Sequence, residues 1–143
     1  MMRFRFILPK GYMFRKVRVV QKVRRRVHKP KSSQDFLRYK EAALALALHR
    51  LAHFNMHYQF SFHRVAIRNQ RTRWGSCSKK GNLNFNYRII HLPPHLVDYI
   101  IVHELCHLRE FNHAKGFWDL VAQTVPTHMQ ARTELKRVGI RFR

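Results

Sequence analysis

His103, Glu104 and His107 lie in "YIIVHELCHLREFNH", residues 99–113, whose first ten residues are mostly apolar and read as a helix pressed into a core. On a helix, positions 103 and 107 share a face and stand about 6 Å apart along the axis. Two imidazoles held in this way can bind one metal ion. Glu104 projects to the side, where it can reach water on the ion without being a ligand. This is the H-E-x-x-H spacing of zinc hydrolases, in which the metal lowers the pKa of its water and the glutamate takes the proton during attack. A buried polar trio is costly unless something satisfies it, and a cation would. The competing reading is a hydrogen-bonded histidine pair on a partly exposed face.

A catalytic zinc site usually takes a third protein ligand. His113 leads, which makes the full pattern H-E-x-x-H-x-x-x-x-x-H. A continuous helix would put His113 about 9 Å past His107 and on another face. The chain must therefore break and fold back, and Asn112 can supply the break through the left-handed conformation. The spacing is that of the metzincin motif, except that Glu110 stands where metzincins have glycine, so the turn must be built differently. Asp119 and Glu134 are the alternative third ligands. Three imidazoles favour zinc, Zn2+, among the common divalent ions.

The surrounding elements follow from periodicity and turn residues. An Ala/Leu-rich helix is expected from Asp35 to about Phe54, with Ser33 as its N-cap and Leu37, Leu44, Leu48 and Leu51 on one side. Residues 62–69 and 83–90 alternate like strands around the turn "SKKGN", which predicts a hairpin over 62–90. "LPPH" opens the next helix, expected to run to about Glu110. Two more helices follow near 114–125 and 127–138, separated by Pro126. The order predicts a single α+β domain over residues 35–143.

Residues 1–34 read as a basic arm, with a strand suggested by alternating Val and Lys/Arg around residues 16–27. The chain carries 29 Lys+Arg against 7 Asp+Glu, a formal net charge of +22. That favours acidic partners such as nucleic acid or nucleotides, and the arm is dense enough to contact phosphates nonspecifically. Cys77 and Cys106 make no disulfide framework, which points to a reduced, cytoplasmic setting. No stretch approaches a membrane span, and the initial apolar run ends at Pro9, too short for a signal peptide. The Arg-rich, acid-poor start would also suit a mitochondrial transit peptide.

Other residues divide between chemistry and support. In "RTRWGSCS", Arg73 or amides near Gly75 and Ser76 could stabilise an oxyanion, whereas Trp74 reads as a core plug in a turn. Asn86 and Arg88 read equally as site residues or braces. Cys106 reads as core, and so, by preference, does Cys77. His49, His53 and His57 form a stripe that fits a solvated or phosphate-facing surface better than a second metal site. Asp98 complements its helix dipole. Phe117 and Trp118 are most simply core.

The stretch from Arg71 to Trp118 strongly resembles the YgjP-like metallopeptidase family, related to the SprT and WLM zinc peptidases. The family pattern is matched by R-W-G-S-C at 73–77, by Asn86, Arg88 and Ile90, by H-E-L-x-H-L-x-x-x-N-H at 103–113 and by F-W at 117–118. The resemblance covers roughly residues 35–138. It implies a zincin-like fold with His103, His107 and His113 on the metal and Glu104 as catalytic base. Family members often carry a longer β-rich region before this domain, where this chain has about 34 basic residues.

Three functions fit these residues. The first is a zinc peptidase with Glu104 as base and Arg73 or a nearby amide at the oxyanion. The second is a hydrolase of nucleotide phosphoric anhydrides, working through the same water. The third is a basic nucleic-acid-binding module with a structural metal. Glu104 argues against the third, because a structural zinc site is closed by four protein ligands and has no use for a base. The resemblance favours a peptide or protein substrate. By analogy with SprT-like relatives, it also suggests a protease recruited to DNA.

Overall fold

The Ala/Leu-rich segment forms α1 (Lys31–Tyr58), longer at both ends than its periodicity predicts. The computed structural model describes residues 31–138, so the strand expected around 16–27 lies outside the described residues. Ser33, expected as an N-cap, falls inside the helix. The buried seam is Ala43, Ala47, Leu51, Phe54 and Tyr58; of the expected leucine row Leu51 lies in it, whereas Leu37 is exposed and Leu44 and Leu48 are half-buried. Small alanines let α1 approach its neighbours closely, which leaves Leu44 and Leu48 on the flank of the contact. Arg50 leaves α1 to pair with Asp98 through two bonds of 2.5 and 2.7 Å. Asp98 therefore ties two helices together; it lies just past the first turn of its own helix, Pro94–Cys106, not within it as expected for a residue that complements the dipole.

The hairpin expected over 62–90 does not join its two expected strands; the antiparallel pair across the turn is made by a shorter strand within the span. The strands β1 (Arg64–Arg68) and β3 (Asn82–Asn86) do pair, but in parallel, with Val65 opposite Leu83 and Ile67 opposite Phe85. The connection between them contains β2 (Gly75–Cys77), which runs antiparallel to β3 and completes the order β1-β3-β2. A strand of three residues is too short to show alternation, so "RTRWGSC" reads as a loop from sequence. The turn at 78–81 is as expected: Gly81 takes a φ of +73° and its N–H donates to the Ser78 carbonyl at 2.8 Å. Only glycine takes that conformation routinely. Val65, Ile67, Leu83 and Phe85 carry the buried face of the sheet.

The second half of the expected strand 83–90 is a short 3-10 helix, Tyr87–His91, begun by Asn86. Asn86 is fully buried. Its Oδ1 accepts from the Arg88 N–H at 3.2 Å, and its Nδ2 donates to the Gln70 and Arg73 carbonyls at 2.7 and 3.0 Å. Arg88 also donates to the Gln70 carbonyl, at 3.0 Å, and stacks on Tyr87. Both residues are braces that hold the stretch delivering Arg73 and Gly75. Asn86→Ala removes the bonds to the Gln70 and Arg73 carbonyls and the cap on the Arg88 N–H from a fully buried position, and is expected to destabilise the protein by about 2–4 kcal/mol, read as a lower denaturation midpoint at unchanged slope.

The central helix α2 (Pro94–Cys106) is buried on almost every side and packs against α1, β2, α3 (Lys115–Ala122) and α4 (His128–Arg137). Its near-continuous apolar sequence fits an element surrounded by others. Trp74 plugs the core as expected, and Cys106 is fully buried. The architecture is the expected α+β single domain, with four helices and a three-stranded sheet among the described residues. No helix among the described residues is long and apolar enough to cross a membrane.

Candidate metal centre and active site

The helix α2 ends at Cys106, earlier than the expected Glu110. The N–H groups of Leu108 and Arg109 bond to the carbonyls three residues back, at 3.1 Å each, which tightens the last turn. His107 Nδ1 donates to the Glu110 carbonyl at 2.8 Å and closes that turn with its own ring. Asn112 is not left-handed, contrary to expectation; among the described non-glycine residues positive φ occurs at Gln59. Asn112 shapes the loop through its side chain, which accepts from the Ala114 N–H at 3.1 Å. A turn built this way needs no glycine at position 110.

The fold-back brings three rings together. His103 Nε2 stands 3.1 Å from His107 Nε2 and 3.2 Å from His113 Nε2. Among the described residues, these three form the group with metal-ligand geometry, all donor atoms lying within 4.8 Å of one another. The bond from His107 Nδ1 to a carbonyl fixes the proton there and leaves a lone pair on Nε2, facing the other rings. Zinc–nitrogen bonds of 2.0–2.1 Å imply tetrahedral edges of about 3.3 Å, so the spacing fits a single small cation. A lone pair on His103 Nε2 likewise requires its proton on Nδ1, which faces the Tyr99 hydroxyl 3.4 Å away.

Aromatic packing holds the rings in place. Phe117, fully buried, contacts all three at centroid distances of 4.9, 4.5 and 4.8 Å. Trp118 is only half-buried, so it is not the core residue its type suggests. Its indole N–H donates to the His113 carbonyl at 3.0 Å and its ring stacks on His113 at 5.6 Å. The alternative third ligands are engaged elsewhere: Asp119 pairs with Lys115 at 2.6 Å and Glu134 with His95 at 2.8 Å. His49, His53 and His57 are exposed and belong to no metal-capable group among the described residues.

Glu104 is buried against the backbone of Gly75 on β2. Burial pushes its carboxyl up to about 8, and the nearby Arg73 guanidinium opposes the rise. Burial also lowers all three imidazoles, His103 farthest, with the neighbouring rings and Arg132 adding to its shift. Neutral imidazoles are the form that binds metal. The Cys77 thiol is pushed up to about 12, by burial first and then by Glu104, so it is no nucleophile at neutral pH.

These shifts set the pH response of the metal-free protein. From about 6.5 to 8 the folded state keeps a proton on Glu104 that the unfolded chain has lost, so stability falls as pH rises. Below about 6.5 the unfolded chain takes up protons on three imidazoles whose folded-state pKa values burial lowers, so each of them costs stability as pH drops. Chelator-treated protein is therefore expected to show its highest melting temperature near pH ~6.5. A flat profile from about pH 5 to 8 would contradict this.

Two residues at the site went unread in the sequence. Arg132 on α4 lies 5.0 Å above the Trp118 ring, near enough for its charge to depress His103 and His113. One basic residue among 29 carries no local signal of that role. The Tyr99 hydroxyl behind His103 was legible in principle, since positions 99 and 103 are a helical turn apart.

Comparison with known proteins bears on the fold and the family. The crystal structure of the metallopeptidase zymogen of Pyrococcus abyssi abylysin has a similar fold, with a TM-score of 0.54 and 23% sequence identity, over 72% of this chain and 98% of that one. Among curated proteins none matches this chain significantly. A family model, the YgjP-like metallopeptidase domain, matches residues 13–138, beginning inside the expected basic arm. That match spans most of the sequence, and with it the chain belongs to the YgjP-like metallopeptidase family.

Proposed function

We propose that this protein is a zinc-dependent peptidase in which His103, His107 and His113 hold the ion and Glu104 is the general base. The observation that carries the reading is the meeting of three Nε2 atoms, one of them on α2 next in sequence to a buried carboxylate. A divalent ion held there supplies a Lewis acid that polarises a carbonyl and acidifies water. Glu104, ionised in the field of the cation, accepts the proton of the attacking water and passes it to the leaving amine. Arg73 places positive charge on the β2 side of the site, where negative charge developing on the carbonyl oxygen gains from it.

A peptide is favoured over a phosphoric anhydride by the position of β2. Among the described residues it is an edge strand of the sheet, next to Glu104, so no described strand takes the far side of its backbone, where an extended peptide could add. A nucleotide triphosphate has no use for such an edge. The net charge of +22 supports attraction to nucleic acid as a cofactor of recruitment. The test is hydrolysis of a casein-like protein and of nucleoside triphosphates by zinc-loaded protein, with and without DNA and over a range of salt. Cleavage of the protein substrate, with triphosphates untouched, is expected; triphosphate hydrolysis alone would overturn the reading. Activity stimulated by DNA and lost at moderate salt would support recruitment, and indifference to both would remove it.

A further inference from the structure

We infer that Gly75 is a positioning residue, glycine because the side chain of Glu104 occupies the space its own side chain would fill. A Cβ at position 75 would lie 2.6 Å from Glu104 Cγ, 2.7 Å from Oε1 and 2.8 Å from Cδ. Real Cβ contacts are essentially never that short, so one side must move. The conformation of Gly75 does not require glycine: among the described residues positive φ belongs to Gln59 and Gly81. At the first residue of β2, glycine costs conformational entropy that alanine would spare. Space, not backbone freedom, is what the residue supplies.

The strand cannot retreat from α2. Gly75 is in register with Phe85, the Asn86 N–H donates to the Trp74 carbonyl at 2.7 Å, and Asn86 Nδ2 holds the Arg73 carbonyl at 3.0 Å. Both residues before Gly75 are thus pinned to a buried asparagine. Glu104 is buried as well, on the most enclosed helix of the fold. A methyl group at 75 therefore displaces the carboxylate. Gly75 forms a slot that holds Glu104 against an edge strand, and the catalytic half of this inference rests on Glu104 being the base.

The test is a double-mutant cycle on the zinc-loaded full chain, with Gly75→Ala, Glu104→Ala and the pair. Gly75→Ala is expected to lower the melting temperature in the wild-type background. In the Glu104→Ala background, where the space is empty, it is expected to raise it by about 2–4 °C. Gly75→Ala should also keep one zinc per chain and an unchanged KM while kcat falls about 100-fold. Equal temperature shifts in the two backgrounds, or an unchanged kcat, would overturn the inference. If Gly75→Ala does not fold, recovery of folding in the pair supports the slot, and failure of both overturns it. A reversed temperature shift in a protein that cleaves no peptide upholds the slot and defeats the peptidase reading instead.

Discussion

Glu104→Gln is expected to keep its metal and to lose about 10²–10⁴-fold in kcat. The substitution is nearly isosteric, so the packing against Gly75 survives and the three imidazoles are untouched. What disappears is the ability to accept a proton from the attacking water. Glu104 sits one position after His103 and is only 3% exposed, so bulk water cannot readily replace it as a base. Metal analysis and turnover on a protein substrate check the prediction together. Bound metal with residual activity near wild type would show that the base lies elsewhere. Loss of metal would show that Glu104 is itself a ligand.

The second large effect is expected at His113. His113→Ala should abolish hydrolysis and weaken metal binding by more than the 10–100-fold typical of losing an outer-shell partner. His103 and His107 would remain as a pair on one helix face, and two imidazoles hold a divalent ion far less tightly than three. The exposed position of His113 on the connection after α2 makes the substitution safe for folding. Competition with a chromophoric chelator gives the affinity. The stabilisation that zinc confers on thermal unfolding should shrink in parallel, since ligand binding adds to stability by mass action. Undiminished affinity would mean that a carboxylate, Asp119 or Glu134, completes the site, although Asp119 is engaged by Lys115 at 2.6 Å and Glu134 by His95 at 2.8 Å.

These two expectations differ in how far they were legible before the fold was known. The pairing of His103 with His107 is a property of helix geometry, and the bracket of apolar residues around them announces burial. The fold-back to His113 was anticipated, but its means were not. The turn depends on short backbone bonds after Cys106 and on the His107 ring capping the Glu110 carbonyl, which no single residue type encodes. Asn112, an attractive breaker by type, contributes a side-chain bond instead.

The sheet shows the same division. Val65, Ile67, Leu83 and Phe85 alternate along their strands and were legible as buried positions. Their parallel pairing was not, because strand direction is decided by the long connection between them, and that connection hides a three-residue strand. Asn86 and Arg88 were ambiguous for a related reason. A polar side chain has the same identity whether it meets substrate or a backbone carbonyl, and only the positions of Gln70 and Arg73 decide between the two.

From its sequence alone this protein declares its charge, its helical segments and the chemistry of His103, Glu104 and His107, because composition and helix period act over a few residues. Tertiary structure decided which elements meet: β2 against Glu104, Arg132 and Trp118 beside His113, β1 parallel to β3. Those contacts join residues far apart in the chain, and their free energy comes from packing complementarity that no local pattern records.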